Sequence, residues 1–282
     1  MPRLRYDPRM TPLARKLAQL SAGEMVAALG MRRGPVWLQR GLALPFYAAS
    51  RDLGQALATL DDEVALHGLP EAAASALRTL GVALRVSGAE TGAGPCLVLA
   101  NHPGAYDALA LMSALGRRDL LILAADRQFL RALSGLSTHF VFVGEAPSER
   151  AGALKRALSW LRRGGALLHF PAGRIEPDAD FTRTGAPLLE DWQAGVSALV
   201  RACERAAGRV LVAGVRGVHS VRAKRLLLNR LAEQRGVTTL SPLLQLVAKL
   251  RDVNARVRLD PVTGARDEYS LRAALVNAIS KA

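Results

Sequence analysis

A histidine and an aspartate separated by four residues are the first candidates for chemistry. His102 and Asp107 flank a turn that begins with Pro103 and Gly104. The charge of histidine changes near neutral pH, and a carboxylate bound to one ring nitrogen leaves the other nitrogen able to remove a proton. The pair therefore indicates general-base chemistry on a hydroxyl. The alternative interpretation is that His102 stabilises the turn and Asp107 caps the following helix.

A second polar turn reads FPAGR, from Phe170 to Arg174. Pro171 cannot continue the hydrogen bonding of a strand, and Gly173 allows a backbone to approach a ligand closely. The guanidinium of Arg174 has a planar geometry that suits phosphate oxygens. This turn therefore indicates an anion-binding site, with a surface turn and a solvated arginine as the alternative.

Both motifs follow short apolar runs that are typical of β-strands. The pattern predicts strands at 81–86, 96–100, 120–124, 139–143, 166–170, 210–215 and 255–259. It predicts helices at 107–115, 127–133, 148–163, 188–207, 222–234, 242–250 and 271–280. Such alternation favours an α/β fold with a mainly parallel sheet flanked by helices. Ligands of these sheets bind at the carboxyl ends of the strands, so both motifs are expected at one edge.

The first 80 residues have a different pattern. Leucines at helical spacing, such as Leu13, Leu17 and Leu20, predict an N-terminal helical segment. We therefore divide the chain into this helical segment, 1–80, with a possible membrane-associating role, and an α/β domain, 81–282.

Composition narrows the classes of function. The 282 residues include 38 Lys and Arg against 24 Asp and Glu, a net charge of +14, which favours anionic partners. Aromatic residues are only 5% of the chain and no stacking motif is present, which argues against a nucleic-acid-binding protein.

The sequence has no C-x-x-C, H-E-x-x-H, G-x-S-x-G or P-loop motif. No metal and no bound cofactor are therefore expected.

The charge distribution suggests contact with a membrane surface rather than a membrane span. The longest uncharged run in the N-terminal region, 41–50, is half of the ~20 residues that a spanning helix needs. Basic residues exceed acidic ones by six over 1–60 and by five over 216–235. In the helix at 148–163, basic residues flank three apolar ones: Lys155, Arg156, Arg162 and Arg163 around Leu158, Trp160 and Leu161. This pattern is typical of a helix on anionic lipid, and also of a solvated face over a core stripe.

The two polar turns together resemble the motifs of a known family, the glycerolipid acyltransferases of the lysophosphatidate acyltransferase (PlsC-like) type. The first family motif is N-H-x4-D, matched by Asn101, His102 and Asp107. Another has the form F-P-x-G-x-R, matched in part by Phe170, Pro171, Gly173 and Arg174. The resemblance covers roughly residues 81–260, and both motifs occur in the family's order.

The resemblance implies an O-acyltransferase that moves a fatty acyl group from acyl-CoA or acyl carrier protein to a hydroxyl of a lipid or lyso-lipid acceptor. His102 would be the general base and Asp107 would orient it, with no acyl-enzyme. Backbone N–H groups near 171–174 would stabilise the oxyanion, and Gly173, Arg174 and Arg150 would bind substrate. The resemblance also implies a cytoplasmic protein that is peripheral on the inner face of the cell membrane.

The chain departs from the family pattern in three places. Ala172 stands where the family usually has Glu, which weakens the case for a glycerol phosphate acceptor. The second family motif is altered, so that Arg150 is the nearest arginine to its strand. Arg216 and His219 follow a strand that lacks the family's usual proline, and are either site residues or surface polar residues. These departures keep open an alternative, a catalytically inactive lipid-binding protein with the same fold.

Overall fold

The computed structural model describes residues 10–28, 36–104, 106–225, 245, 250–264 and 267–282, without the side chains of 23–28 and 36–49. Within these ranges, no helix is both long enough and apolar enough to cross a membrane.

In the described part of the chain, seven strands form one mixed sheet. They are β1 (Val82–Gly88), β2 (Cys96–Ala100), β3 (Leu120–Ala125), β4 (Phe140–Val143), β5 (Ala166–His169), β6 (Arg209–Arg216) and β7 (Val253–Pro261). Their order across the sheet is β1-β7-β6-β2-β5-β3-β4. All neighbouring pairs are parallel except β6 and β7. The prediction of a mainly parallel sheet is confirmed.

The helices are α1 (Pro12–Ala28), α2 (Val36–His67), α3 (Leu69–Leu80), α4 (Asp107–Leu115), α5 (Gln128–Arg131), α6 (Pro147–Arg162), α7 (Val196–Arg205), α8 (Val221–Arg225) and α9 (Glu268–Lys281). Short 3₁₀ turns lie at Leu136–His139 and Ala179–Phe181. The three N-terminal helices agree with the predicted helical segment. Most of the helices predicted at 222–234 and 242–250 lie outside the described residues.

The strand β2 lies at the centre because it can be buried on both faces. All five of its side chains are buried, which is typical of an inner strand of a parallel sheet. Val98 packs with the core shared by the N-terminal helices and α4, whereas Leu97 and Leu99 pack with α6, α7 and α9. Helices therefore cover both faces, and the carboxyl end of β2 is held rigidly between β5 and β6.

The segment before α7 differs from the prediction. A helix was expected over 188–207, but the structure has a helix only at Val196–Arg205. Gly195, at φ +114°, stands at the N-terminus of that helix. The preceding residues, 188–195, which we name the strap, bond to the turn after β5: the N–H of Gln193 donates to Pro171 O at 2.8 Å. These bonds replace the i to i−4 bonds that a helix would make.

The structure also decides between the two interpretations of α6. Leu161 is fully buried and Leu158 packs against the core between α6, α7 and the sheet. The indole N–H of Trp160 donates inward, to the carbonyls of Asp119 and Ala166. The apolar residues of α6 therefore face the core, and its exposed basic side chains are a solvated face rather than a lipid-inserting surface.

Candidate active site

The two polar turns predicted to meet do so, because their strands are neighbours. The strands β2 and β5 pair in parallel, with Leu99 opposite His169. The N-H-x4-D turn follows the first strand and the FPAGR turn follows the second, so both leave the sheet at the same edge. The ring of His102 packs on the ring of Phe170, with their centroids 4.5 Å apart.

Asn101 fixes the start of the first turn. Its side-chain N–H donates to Val215 O at 2.8 Å, and its oxygen accepts the N–H of Val215 at 2.7 Å. This side chain is fully buried, and it continues the pairing of β2 with β6 by one residue. The first residue of the motif therefore anchors the turn that carries His102.

His102 and Asp107 are in direct contact. The Nδ1 atom of His102 lies 2.7 Å from Oδ2 of Asp107. Because an ionised carboxylate only accepts hydrogen bonds, Nδ1 carries the proton and Nε2 of the neutral ring is unprotonated. Among the described residues, no hydrogen bond reaches Nε2, and the His102 side chain is 30% exposed. The ring is thus oriented with a basic nitrogen available to a substrate.

Asp107 is held by its own backbone surroundings as well as by the histidine. Its Oδ2 atom accepts the N–H of Gly104 at 2.7 Å, and Oδ1 accepts the N–H of Ala108 at 2.6 Å. The residue is 1% exposed and opens α4. Asp107 thus orients His102 as the first residue of α4, whereas the N-cap position is Tyr106, so the interpretation of Asp107 as the helix cap was wrong.

The charges of the pair reinforce one another. Burial lowers the pKa of His102, but the charge and hydrogen bond of Asp107, together with the charge of Glu176, raise it above its usual value overall. Burial raises the pKa of Asp107, yet His102 and the N–H groups of Gly104 and Ala108 bring it below the ordinary range. Asp107 is therefore ionised at neutral pH, and its negative charge favours the protonated form of His102.

The FPAGR turn is tight and partly exposed. Gly173 has φ +63°, a conformation that favours glycine, and its N–H donates to Phe170 O at 3.0 Å. The N–H of Gly173 is therefore not available to an oxyanion, whereas the N–H of Arg174 makes no hydrogen bond among the described residues. The Arg174 guanidinium is 61% exposed and lies 3.7 Å from the carboxylate of Glu190 in the strap. Exposed ion pairs of this kind are weak, so the arginine can exchange this partner for an anionic ligand.

Arg150 lies exposed in the first turn of α6, which follows β4. Within the described part of the chain, its side chain makes no hydrogen bond or ion pair with the other predicted site residues.

His219 lies beside the turn that carries His102, whereas Arg216 belongs to an ion-pair network. His219 is 5% exposed, and its Nε2 lies 2.8 Å from Pro103 O, so Nε2 carries the proton. Burial is the main cause that lowers its pKa. Arg216 pairs at 2.7 Å with Asp180, which also binds Arg256. His219 thus supports the backbone beside His102, and neither residue is a simple surface polar group.

A cavity of about 300 Å³ lies between α2, α3 and the residue that precedes Asp107. Tyr106, which is 3% exposed, forms part of its wall, and burial raises the pKa of this tyrosine to about 12. Apolar side chains contribute much of the rest, among them Leu53, Ala56 and Leu80. The cavity therefore lies beside the start of α4 and is partly walled by the N-terminal helices, with apolar and polar side chains in its lining.

Sequence reasoning missed two buried carboxylates near the site, Glu176 and Asp178. Asp178 accepts the N–H groups of Gly217 and Val218 at 2.9 Å, which fixes the loop after β6. Both acids follow the FPAGR turn closely in sequence, but nothing in their spacing distinguishes them from surface acids. Among the described residues, no group of three or more His, Cys, Asp or Glu side chains could hold a metal ion.

A comparison with protein-family models agrees with the resemblance seen in the motifs. A family model described as Acyltransferase matches residues 83–213, which include both polar turns. The match spans 131 of the 282 residues, and over this range the resemblance to the acyltransferase family is confirmed.

Among solved structures, the chain is similar to the crystal structure of the 1-acyl-sn-glycerophosphate (LPA) acyltransferase PlsC from Thermotoga maritima. The identity is 13%, the match covers 95% of this chain and 91% of that chain, and the TM-score is 0.46. No curated protein sequence matches the chain significantly.

Proposed function

We propose that the chain is an O-acyltransferase that moves a fatty acyl group from a thioester, acyl-CoA or acyl carrier protein, to a hydroxyl of a glycerolipid or related lipid precursor. The observation that carries the proposal is the 2.7 Å contact between His102 and Asp107 at a strand edge. The acyltransferase-family match over residues 83–213 includes this pair.

The reaction needs one base and no covalent intermediate. His102 Nε2 takes the proton of the acceptor hydroxyl. At the same time the hydroxyl oxygen attacks the thioester carbonyl carbon, which forms the C–O bond. The C–S bond then breaks, and the thiolate takes the proton back from the imidazolium. Asp107 stabilises the positive charge that His102 carries between the two steps. The products are an ester and a free thiol, and the base is regenerated.

Two further groups are assigned by their positions. The exposed guanidinium of Arg174 binds a phosphate of one of the substrates. The N–H of Arg174 is one donor in that turn for the oxyanion that develops on the thioester oxygen. The cavity beside Tyr106 is proposed to hold the acyl chain, because apolar side chains form part of its wall and Tyr106 directly precedes Asp107 in the chain.

The proposed location is a membrane surface, approached from the cytoplasm. The basic excess of 216–235 supports this, but most of that range lies outside the described residues. The exposed face of α6 has basic side chains and few apolar ones, so it supports attraction to anions but not insertion.

The proposal is tested by the release of free thiol from purified protein. Palmitoyl-CoA and palmitoyl-acyl carrier protein are offered with lysophosphatidate, glycerol 3-phosphate or lyso-ornithine lipid. Thiol release that depends on one acceptor, with formation of the matching ester, supports the proposal and identifies the acceptor class. Vesicle binding without thiol release in any combination would instead favour the inactive lipid-binding alternative.

A further inference from the structure

Glu176 lies against the backbone of His102, although it is distant from it in sequence. Its carboxylate is buried, with the residue 3% exposed. The Oε2 atom accepts the N–H of His102 at 2.9 Å, and the N–H of Glu176 donates to His102 O at 2.8 Å. One residue therefore binds both polar backbone groups of the proposed base.

The same carboxylate also binds the strap. Its Oε1 atom accepts the N–H of Glu190 at 2.9 Å, and the side chain of Glu190 is the ion-pair partner of Arg174. Each oxygen of Glu176 thus accepts a backbone N–H, from the turn after β2 on one side and from the strap on the other. The proposed base and the counterion of the proposed anion site are connected through this one side chain.

The hydrogen-bond pattern indicates that Glu176 is ionised. Each of its oxygens accepts one N–H group, which is the pattern that an ionised carboxylate satisfies without donating. Burial raises the pKa of Glu176 above its usual value, while the N–H groups of His102 and Glu190 limit the rise. A buried carboxylate held by two N–H groups is costly to neutralise or remove.

The charged groups that act on His102 come from two elements. Asp107 of α4 binds the ring directly, and Glu176, from the loop after β5, acts through space and through the peptide. His219 approaches the next carbonyl, that of Pro103, but burial favours its neutral form. Glu176 is therefore the second negative charge at the base, on the backbone side of the residue.

We propose that Glu176 is a positioning residue, which fixes the backbone of His102 and places a second negative charge beside it. Its effect on turnover rests on the proposed function, whereas its effect on the histidine does not. The substitution Glu176→Gln removes the charge and leaves one oxygen for two N–H groups. The substitution Glu176→Asp keeps the negative charge but shortens the side chain by one methylene group, so the carboxylate no longer spans both N–H groups.

The test is a proton NMR titration of His102 in the full chain, with the resonance assigned by its loss in His102→Gln, together with kcat for thiol release. In Glu176→Gln, the His102 midpoint should fall to lower pH and kcat should fall about tenfold, the value of roughly one charge-assisted hydrogen bond. In Glu176→Asp, kcat should fall while the His102 midpoint stays near the wild-type value. The matched control, Glu204→Gln, removes an exposed carboxylate of α7 and should change neither quantity.

The outcomes separate this inference from the proposed function. A folded Glu176→Gln protein whose His102 midpoint equals that of the wild type would overturn the positioning role. If Glu176→Gln does not fold, Glu176→Asp decides, because an unchanged kcat would overturn the role and a reduced kcat with an unchanged midpoint supports it. A shifted midpoint in a protein without acyl transfer supports the positioning role and contradicts only the proposed function.

Discussion

The imidazole of His102 and the carboxylate of Asp107 share a 2.7 Å hydrogen bond across a turn that Gly104 closes. Gly104 has φ +94°, and its N–H donates to the same oxygen, Oδ2, that binds the histidine. A residue with a side chain would be strained in this conformation. The geometry of the pair is therefore built into the backbone, and does not depend on the side chains alone.

Replacing the carboxylate should leave a folded protein with a weak base. In Asp107→Asn the amide cannot accept from His102, Gly104 and Ala108 together, so the ring loses its fixed orientation. We expect kcat to fall by about 10²–10⁴ and unfolding free energy to fall by about 1–3 kcal/mol. Asp62→Asn, an exposed carboxylate of α2, is the control for thiol release and urea unfolding. Wild-type kcat in Asp107→Asn would remove the orienting role.

The pH dependence of turnover follows from the sign of the His102 shift. A base must be unprotonated, and the pKa of His102 is raised above its usual 6.5 by Asp107 and Glu176, despite burial. The value of kcat/KM should therefore rise with pH through a midpoint above 6.5, as measured by thiol release after subtraction of spontaneous hydrolysis. A rate that is flat from pH 5 to 8 would contradict the assignment of the base.

Loss of Arg174 should weaken binding rather than chemistry. In Arg174→Ala the guanidinium is removed and the backbone N–H remains, so we expect KM for the phosphorylated substrate to rise about tenfold with kcat nearly unchanged. Arg156→Ala makes the same charge change on the exposed face of α6 and should leave KM unaltered. Equal effects of the two variants would indicate a general dependence on net charge and not a binding site.

Asn101 should matter for stability as well as for the site. In Asn101→Ala the two hydrogen bonds to Val215 are lost, which leaves a buried N–H and a buried carbonyl without that partner. The expected loss of unfolding free energy is about 2–4 kcal/mol in urea titrations. Asn277→Ala, an exposed position of α9, should change it by less than about 0.5 kcal/mol. A loss no larger than in this control would show that the anchor is dispensable.

The sequence could predict the juxtaposition of the two turns because one rule of parallel sheets sufficed. The run at 96–100 is apolar throughout and that at 166–170 is apolar except for His169, which is typical of inner strands, and the chemistry-bearing residues follow them directly. The direction of β7 could not be predicted from the sequence in this way. A long connection, 217–252, precedes it, and only the structure shows that it pairs antiparallel to β6.

Glu176 and the strap show why the rest of the site could not be predicted. Glu176 stands between Ile175 and Pro177 with no periodic pattern, and its role depends on β2 lying next to β5. In the strap, Leu188, Leu189 and Trp192 have helical spacing, but bonds to the neighbouring turn outweigh the local preference. In both cases the deciding contacts are tertiary, and a single sequence does not record them.

The measurement that tests the account most directly compares wild-type protein with His102→Ala for acceptor-dependent release of thiol from palmitoyl-CoA and palmitoyl-acyl carrier protein. Circular dichroism and urea unfolding confirm that both proteins are folded. The account predicts thiol release and ester formation by the wild type, and in the variant a loss of at least about 10² in kcat. Turnover by His102→Ala at the wild-type rate would contradict the claim that this histidine is the base.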